Sequence, residues 1–99
     1  MMQQEITVGF DREKWSTSPG ECSASSGDEI TWRAEETALT LWFPEESLFG
    51  QRELSIASGG TATLTVGKNV EPGRYAYAVY CHDPREFASG SLHPVMIIE

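Results

Sequence analysis

Cysteine is scarce in this 99-residue chain: Cys22 and Cys81 are the only two, and they form no C-x-x-C pair. Two thiols cannot frame a disulfide-stapled fold, and that spacing does not make a structural zinc site. Histidine is as rare, at His82 and His93, and the chain contains no H-E-x-x-H, no G-x-S-x-G and no phosphate-cradling glycine loop. Those absences remove zincin, nucleophile-elbow and P-loop chemistry, and the scattered carboxylates supply no other catalytic spacing. The chain is therefore expected not to be an enzyme. Basic residues are few, 7 against 15 acidic, for a formal charge of −8. A field of that sign repels phosphate backbones and anionic head groups, so nucleic acid and membrane surfaces are set aside as partners. The partner left is an unknown protein, with a basic docking surface the one this charge favours. No run of about 18 apolar residues is present to span a bilayer. Met1-Met2-Gln3-Gln4-Glu5 has neither a basic nor an apolar leader region. The expected compartment is cytoplasmic, with a periplasmic one requiring a leader already removed. In the cytoplasm both cysteines are expected to be thiols.

Helical periodicity is missing too, because Gly, Pro and Ser interrupt every stretch of a dozen residues. Alternation with period two takes its place, and a 39% apolar fraction rich in aromatics is enough for one packed core. One domain over residues 1–99 is expected, built from strands near Glu5–Phe10, Glu21–Ser25, Glu29–Ala34, Ala38–Phe43, Glu53–Ala57, Thr61–Val66, Arg74–Cys81 and Pro94–Glu99. Parity turns Ile30, Trp32, Leu39, Leu41, Phe43, Ala62, Leu64, Val66, Tyr75, Tyr77, Val79 and Cys81 inward. Cys22 and Ala24 share the inward parity of their strand. Ser26-Gly27-Asp28 and Ser58-Gly59-Gly60 mark tight turns, and Pro44 to Phe49 suits one helical turn. Trp42 has outward parity, and Leu48 and Phe49 of that turn are expected to cover it, the alternative being that Trp42 belongs to an exposed binding patch.

The run Pro19-x7-Gly27-Asp28-x-Ile30-x-Trp32 resembles the second and third strands of the cupredoxins. Glu71-Pro72-Gly73-Arg74-Tyr75, leading on to Tyr80-Cys81, is similar to the PGxY strand that delivers their copper-ligating Cys. Val95-Met96-Ile97-Ile98 resembles their closing strand. The resemblance covers most of the chain and implies an all-β Greek-key sandwich of the cupredoxin-like (plastocyanin/azurin-type) kind. It also implies that Tyr75 buries its ring between the sheets and bonds its hydroxyl to nearby backbone. An immunoglobulin-like sandwich is the alternative, because Cys22, Trp32 and Cys81 follow that fold's Cys, Trp, Cys order. The Tyr two residues before its second Cys is replaced here by Val79.

Blue copper needs two imidazoles, a thiolate and a weak axial donor held in trigonal geometry. In the cupredoxin pattern the first His opens an H-x-V-x-F strand, and Leu39 stands in that place in Leu39-Thr40-Leu41-Trp42-Phe43. After Cys81 come His82-Asp83-Pro84-Arg85-Glu86-Phe87, without the family's spacing to a second His and an axial Met, and Met96 lies in the last strand as core. The family also separates the PGxY Tyr from its Cys by fewer residues than lie between Tyr75 and Cys81. Counted from Tyr75, Val79 takes the ligand position. The copper site thus reads as degenerate and no cofactor is expected. The expected function is a non-catalytic binding or interaction module. The alternative is an atypical copper-binding or electron-transfer protein that uses Cys81 with His82 or His93, and these three are the candidate metal residues. Adjacent strand residues point to opposite faces, so Cys81 and His82 could share one metal only where the chain bends.

Overall fold

A computed structural model describes residues 2–11, 14–83, 85–88 and 93–99. Along these the strands are β1 (Gln3–Asp11), β2 (Lys14–Ser18), β3 (Glu21–Ala24), β4 (Glu29–Ala34), β5 (Leu39–Trp42), β6 (Glu53–Ile56), β7 (Thr61–Thr65), β8 (Gly73–Ala76), β9 (Ala78–Cys81), β10 (Glu86–Phe87) and β11 (Val95–Ile98), with one helical turn, α1 (Glu46–Phe49), between β5 and β6. One layer has the order β2-β1-β4-β7, with β1 parallel to β4 so that Ile6 lies level with Trp32. The other joins β10-β9-β5-β6 to β3-β11-β8 through the single residue between β8 and β9, Tyr77. The N–H of Tyr77 reaches Pro94 O at 3.0 Å, which holds the chain where it passes from one group of strands to the next.

Three expectations are corrected here. Lys14–Ser18 is a strand, paired antiparallel with β1 from Asp11↔Lys14 to Thr7↔Ser18. Its residues show little apolar alternation, and its pairing with β1 is what extends it. Glu86–Phe87 is likewise a strand, paired with Cys81 and Tyr80. Arg74–Cys81, expected as one strand, is broken at Tyr77.

Period-two alternation places the core between the layers. Ile6, Val8, Ile30 and Trp32 enter from one side and Leu39, Leu41, Val79, Cys81 and Met96 from the other, all at most 1% exposed. Trp32 is the hub, its ring 5.6 Å from Phe43, 5.3 Å from Phe49 and 6.0 Å from Tyr77 between centroids. Phe49 arrives there because α1 turns Leu48 and Phe49 inward and then stops at Gly50, whose φ of 83° is open to glycine at little steric cost. The turn is tied down by Gly67, whose N–H reaches Leu48 O at 3.0 Å. A Cβ at Gly67 would strike the Ser47 carbonyl.

Asp28, in the turn before β4, is buried and accepts the backbone N–H groups of Ser25 at 2.9 Å and Met2 at 3.1 Å. Those bonds, Ser25 first and Met2 second, hold its carboxyl below the ordinary range. Its contribution to stability is complete above the unfolded carboxylate's pKa and is lost as the pH falls through the lowered one.

The two tyrosines of the Gly73–Cys81 run divide the role expected of Tyr75. Tyr75 does bond its hydroxyl to backbone, donating to Glu71 O at 2.5 Å, but its ring is only half buried. The ring between the sheets is that of Tyr77, 2% exposed, whose hydroxyl oxygen accepts from Trp32 Nε1 at 3.3 Å. Burial pushes the Tyr77 phenol well above its ordinary pKa, keeping it neutral. Replacing Tyr77 by Phe strands a buried indole N–H, a loss of about 1–3 kcal/mol. Tyr75→Phe frees only a carbonyl that water can reach. Urea denaturation of the two variants is expected to lower the midpoint more for Tyr77→Phe, and equal shifts would contradict this division of roles.

Candidate functional site

Leu39, which stands where the cupredoxin sequence pattern has its first His, is buried hydrocarbon. Leu39 opens β5 with its side chain in the core, and its partner across the strands is Cys81 at the end of β9. The next facing pair on that side is Leu41 with Val79. Strand pairing therefore sets Cys81, and not Val79, against Leu39, although counting from Tyr75 gives Val79. Cys81 is 0% exposed, and burial, followed by the nearby Glu86 charge, pushes its thiol up to about 11. It is a neutral thiol packed as a small apolar group.

His82 comes next in the chain and lies on the other side of the sheet. Its Nε2 is 2.6 Å from Thr40 Oγ1 and its ring stands edge-on to Tyr80 at 5.4 Å. His93 is exposed on that outer side as well, its ring 5.9 Å from Phe87. The three candidate metal residues are thus one inward thiol and two outward imidazoles. Among the described residues no three His, Cys, Asp or Glu side chains are grouped to hold a metal ion. Met96 lies in the core opposite Tyr75 and Cys22. These donors do not fit type 1 copper, which needs two imidazoles and a thiolate converging on one ion. An open hollow of about 340 Å³ beside His82 is lined by Glu36, Thr37, Ala38, Ser58 and Asp83. Its floor is fixed by Thr37, whose hydroxyl oxygen accepts the N–H of Asp83 at 2.8 Å.

The outer face of the same sheet carries a cluster of rings. Trp42 of β5 lies 6.4 Å from Tyr80 of β9 and 6.2 Å from Phe87 of β10, and Tyr80 and Phe87 are 5.1 Å apart between centroids. Trp42 is 39% and Phe87 41% exposed. The expected cover of Trp42 by Leu48 and Phe49 is overturned: α1 carries both into the core, and Tyr80 and Phe87 are the rings beside Trp42. Outward parity marked Trp42, and the pairing of β5 with β9 is what brings Tyr80 beside it. Phe87 was missed because a two-residue edge strand has no alternation to read.

The backbone as a whole is similar to solved cupredoxins. A pseudoazurin from Sinorhizobium meliloti matches with a TM-score of 0.61 and 14% identity, over all of this chain and 75% of its own. A copper(I) amicyanin variant matches at 0.55 with 24% identity, covering 96% of this chain and 82% of that one. A purple cupredoxin from Nitrosopumilus maritimus matches at 0.57 with 15% identity, over 97% and 99% respectively. No protein-family model and no curated protein sequence matches the chain. At these identities the likeness establishes the fold and stops there. The chain is a cupredoxin-like Greek-key sandwich. No helix of the described residues is long and apolar enough to cross a membrane.

Cys22 and Cys81 are both free and buried in the structure. Cys22 is buried and its Sγ donates to Gln4 Oε1 at 3.2 Å. Burial first and Asp28 second raise its pKa, as burial raises that of Cys81. An alkylating reagent near neutral pH is expected to leave both thiols largely unmodified in the folded protein and to add two labels in denaturant. Rapid labelling of Cys81 in the native state would contradict its place in the core.

Proposed function

We propose that this protein is a non-catalytic binding module on a cupredoxin-like sandwich, without a type 1 copper centre. The observation that carries this reading is the Leu39–Cys81 pair: a leucine and a protonated thiol face each other in the core where the family pattern calls for imidazole and thiolate. The two histidines are occupied elsewhere, with Thr40 and with Phe87. What the sheet offers to a partner is its outer face, in a chain whose charge of −8 favours a basic protein surface. Elemental analysis of the protein purified from its native host tests this. Copper and zinc are expected well below one equivalent. Stoichiometric copper or zinc would overturn it, and copper that is lost when Cys81, and His82 or His93, are replaced would establish the atypical copper-binding protein.

A further inference from the structure

We propose that the outer face of β5, β9 and β10 docks a protein segment presenting an arginine or lysine side chain, with Trp42 as the platform and Glu53 as the counter-charge. This names the docking surface of the binding module proposed above and rests on that reading.

Scattered apolar side chains are ordinary on a protein surface. Trp42, Tyr80 and Phe87 are not scattered: the three are in mutual contact on adjacent strands, and two of them leave about two fifths of their surface open. Large rings held rigidly by a sheet bury contact area at little entropic cost, which is why aromatics are enriched in interface centres.

The kind of partner follows from what stands beside Trp42. Glu53 is its neighbour on β6, and Glu53 Oε1 accepts the indole N–H at 2.8 Å. That bond fixes the ring plane and holds an exposed carboxylate at its edge. Among the described residues no cation pairs with Glu53, since the ion pairs found there are Arg33 with Glu5 and Arg74 with Glu21. A purely apolar partner would have to strip water from that carboxylate and give nothing in return. A guanidinium or ammonium group lying over the indole gains the ring's negative face and the free carboxylate oxygen together. The overall charge of −8 adds long-range attraction for a basic partner and repels a second copy of this chain.

The test follows the indole N–H signals of ¹⁵N-labelled protein by NMR while blocked pentapeptides of alternating alanine and arginine are added. The same peptide with glutamate in place of arginine serves as control. A saturable shift of the Trp42 signal with the arginine peptide and none with the glutamate peptide is expected. Glu53→Gln is expected to weaken binding by about three- to tenfold, with Glu45→Gln unchanged, and Trp42→Ala, followed by the backbone amide signals of β5, β9 and β10, to remove it. The buried Trp32 signal reports whether each variant is folded. The assignment fails if the arginine peptide binds Glu53→Gln and Glu45→Gln alike, because net charge alone then explains it. It fails equally if the Trp42 signal never moves, or moves with protein concentration through self-association. None of these outcomes touches the metal-free reading, which elemental analysis decides.

Discussion

Replacing Trp32 with alanine is expected to remove a large part of the protein's stability margin, because its ring joins four parts of the core. Its indole is fully buried, meets the rings of Phe43, Phe49 and Tyr77, and gives its N–H to the Tyr77 hydroxyl. Those contacts bring together β4, the chain after β5, the α1 turn and the β8–β9 bend. Large-to-small changes of this kind cost about 3–5 kcal/mol, the lost transfer energy being joined by a cavity that the sheets cannot close. A domain of this size has about 5–15 kcal/mol in total. Urea denaturation followed by far-ultraviolet circular dichroism should show a midpoint reduced severely, or no folded baseline. A loss under about 1 kcal/mol would mean that the ring cluster is not the centre of the fold.

Leu39→His is the second large effect, and it tests the copper question from the side of the missing ligand. The substitution sets an imidazole opposite Cys81, the arrangement that the cupredoxin pattern begins with. It does not bring His82 through the sheet, and it does not move His93 from its place against Phe87. One correct donor cannot draw the others into place against a packed core. The variant is expected to lose about 1–3 kcal/mol, since it removes buried hydrocarbon and leaves a polar ring without a partner. With Cu(II) it is expected to show no intense thiolate-to-copper charge-transfer band. A strong band would mean that Cys81 and a second donor already converge.

Much of this arrangement is legible in the residues. The alternation through Glu29–Ala34 and Leu39–Trp42, with the Gly27 and Gly59 turns, fixes strands and facing because one face must be buried. The Pro44–Phe49 turn and its inward Leu48 and Phe49 are half legible: the helical turn is marked by Pro and acidic residues, but the side it closes on is a tertiary matter. Lys14–Ser18 and Glu86–Phe87 carry no pattern of their own, since their hydrogen bonds to β1 and β9 are what make them strands. The same holds for Tyr77. Nothing in Tyr75-Ala76-Tyr77 announces which ring enters the core, because the bend that decides it depends on Pro94 some way along the chain. At the candidate metal residues the parity of Cys81 and His82 already sets them on opposite faces, and only the strand pairing shows that Leu39, and not Leu41, faces the thiol.

The Leu39–Cys81 pair makes the central claim open to one direct measurement on the unaltered protein. One equivalent of Cu(II) is added, the visible spectrum recorded, and the thiols are counted afterwards in denaturant. With Leu39 in the imidazole position and the Cys81 proton held on by burial, no intense charge-transfer band is expected and both thiols should remain countable. A strong band at one copper per chain would show that this sheet holds a thiolate copper site after all.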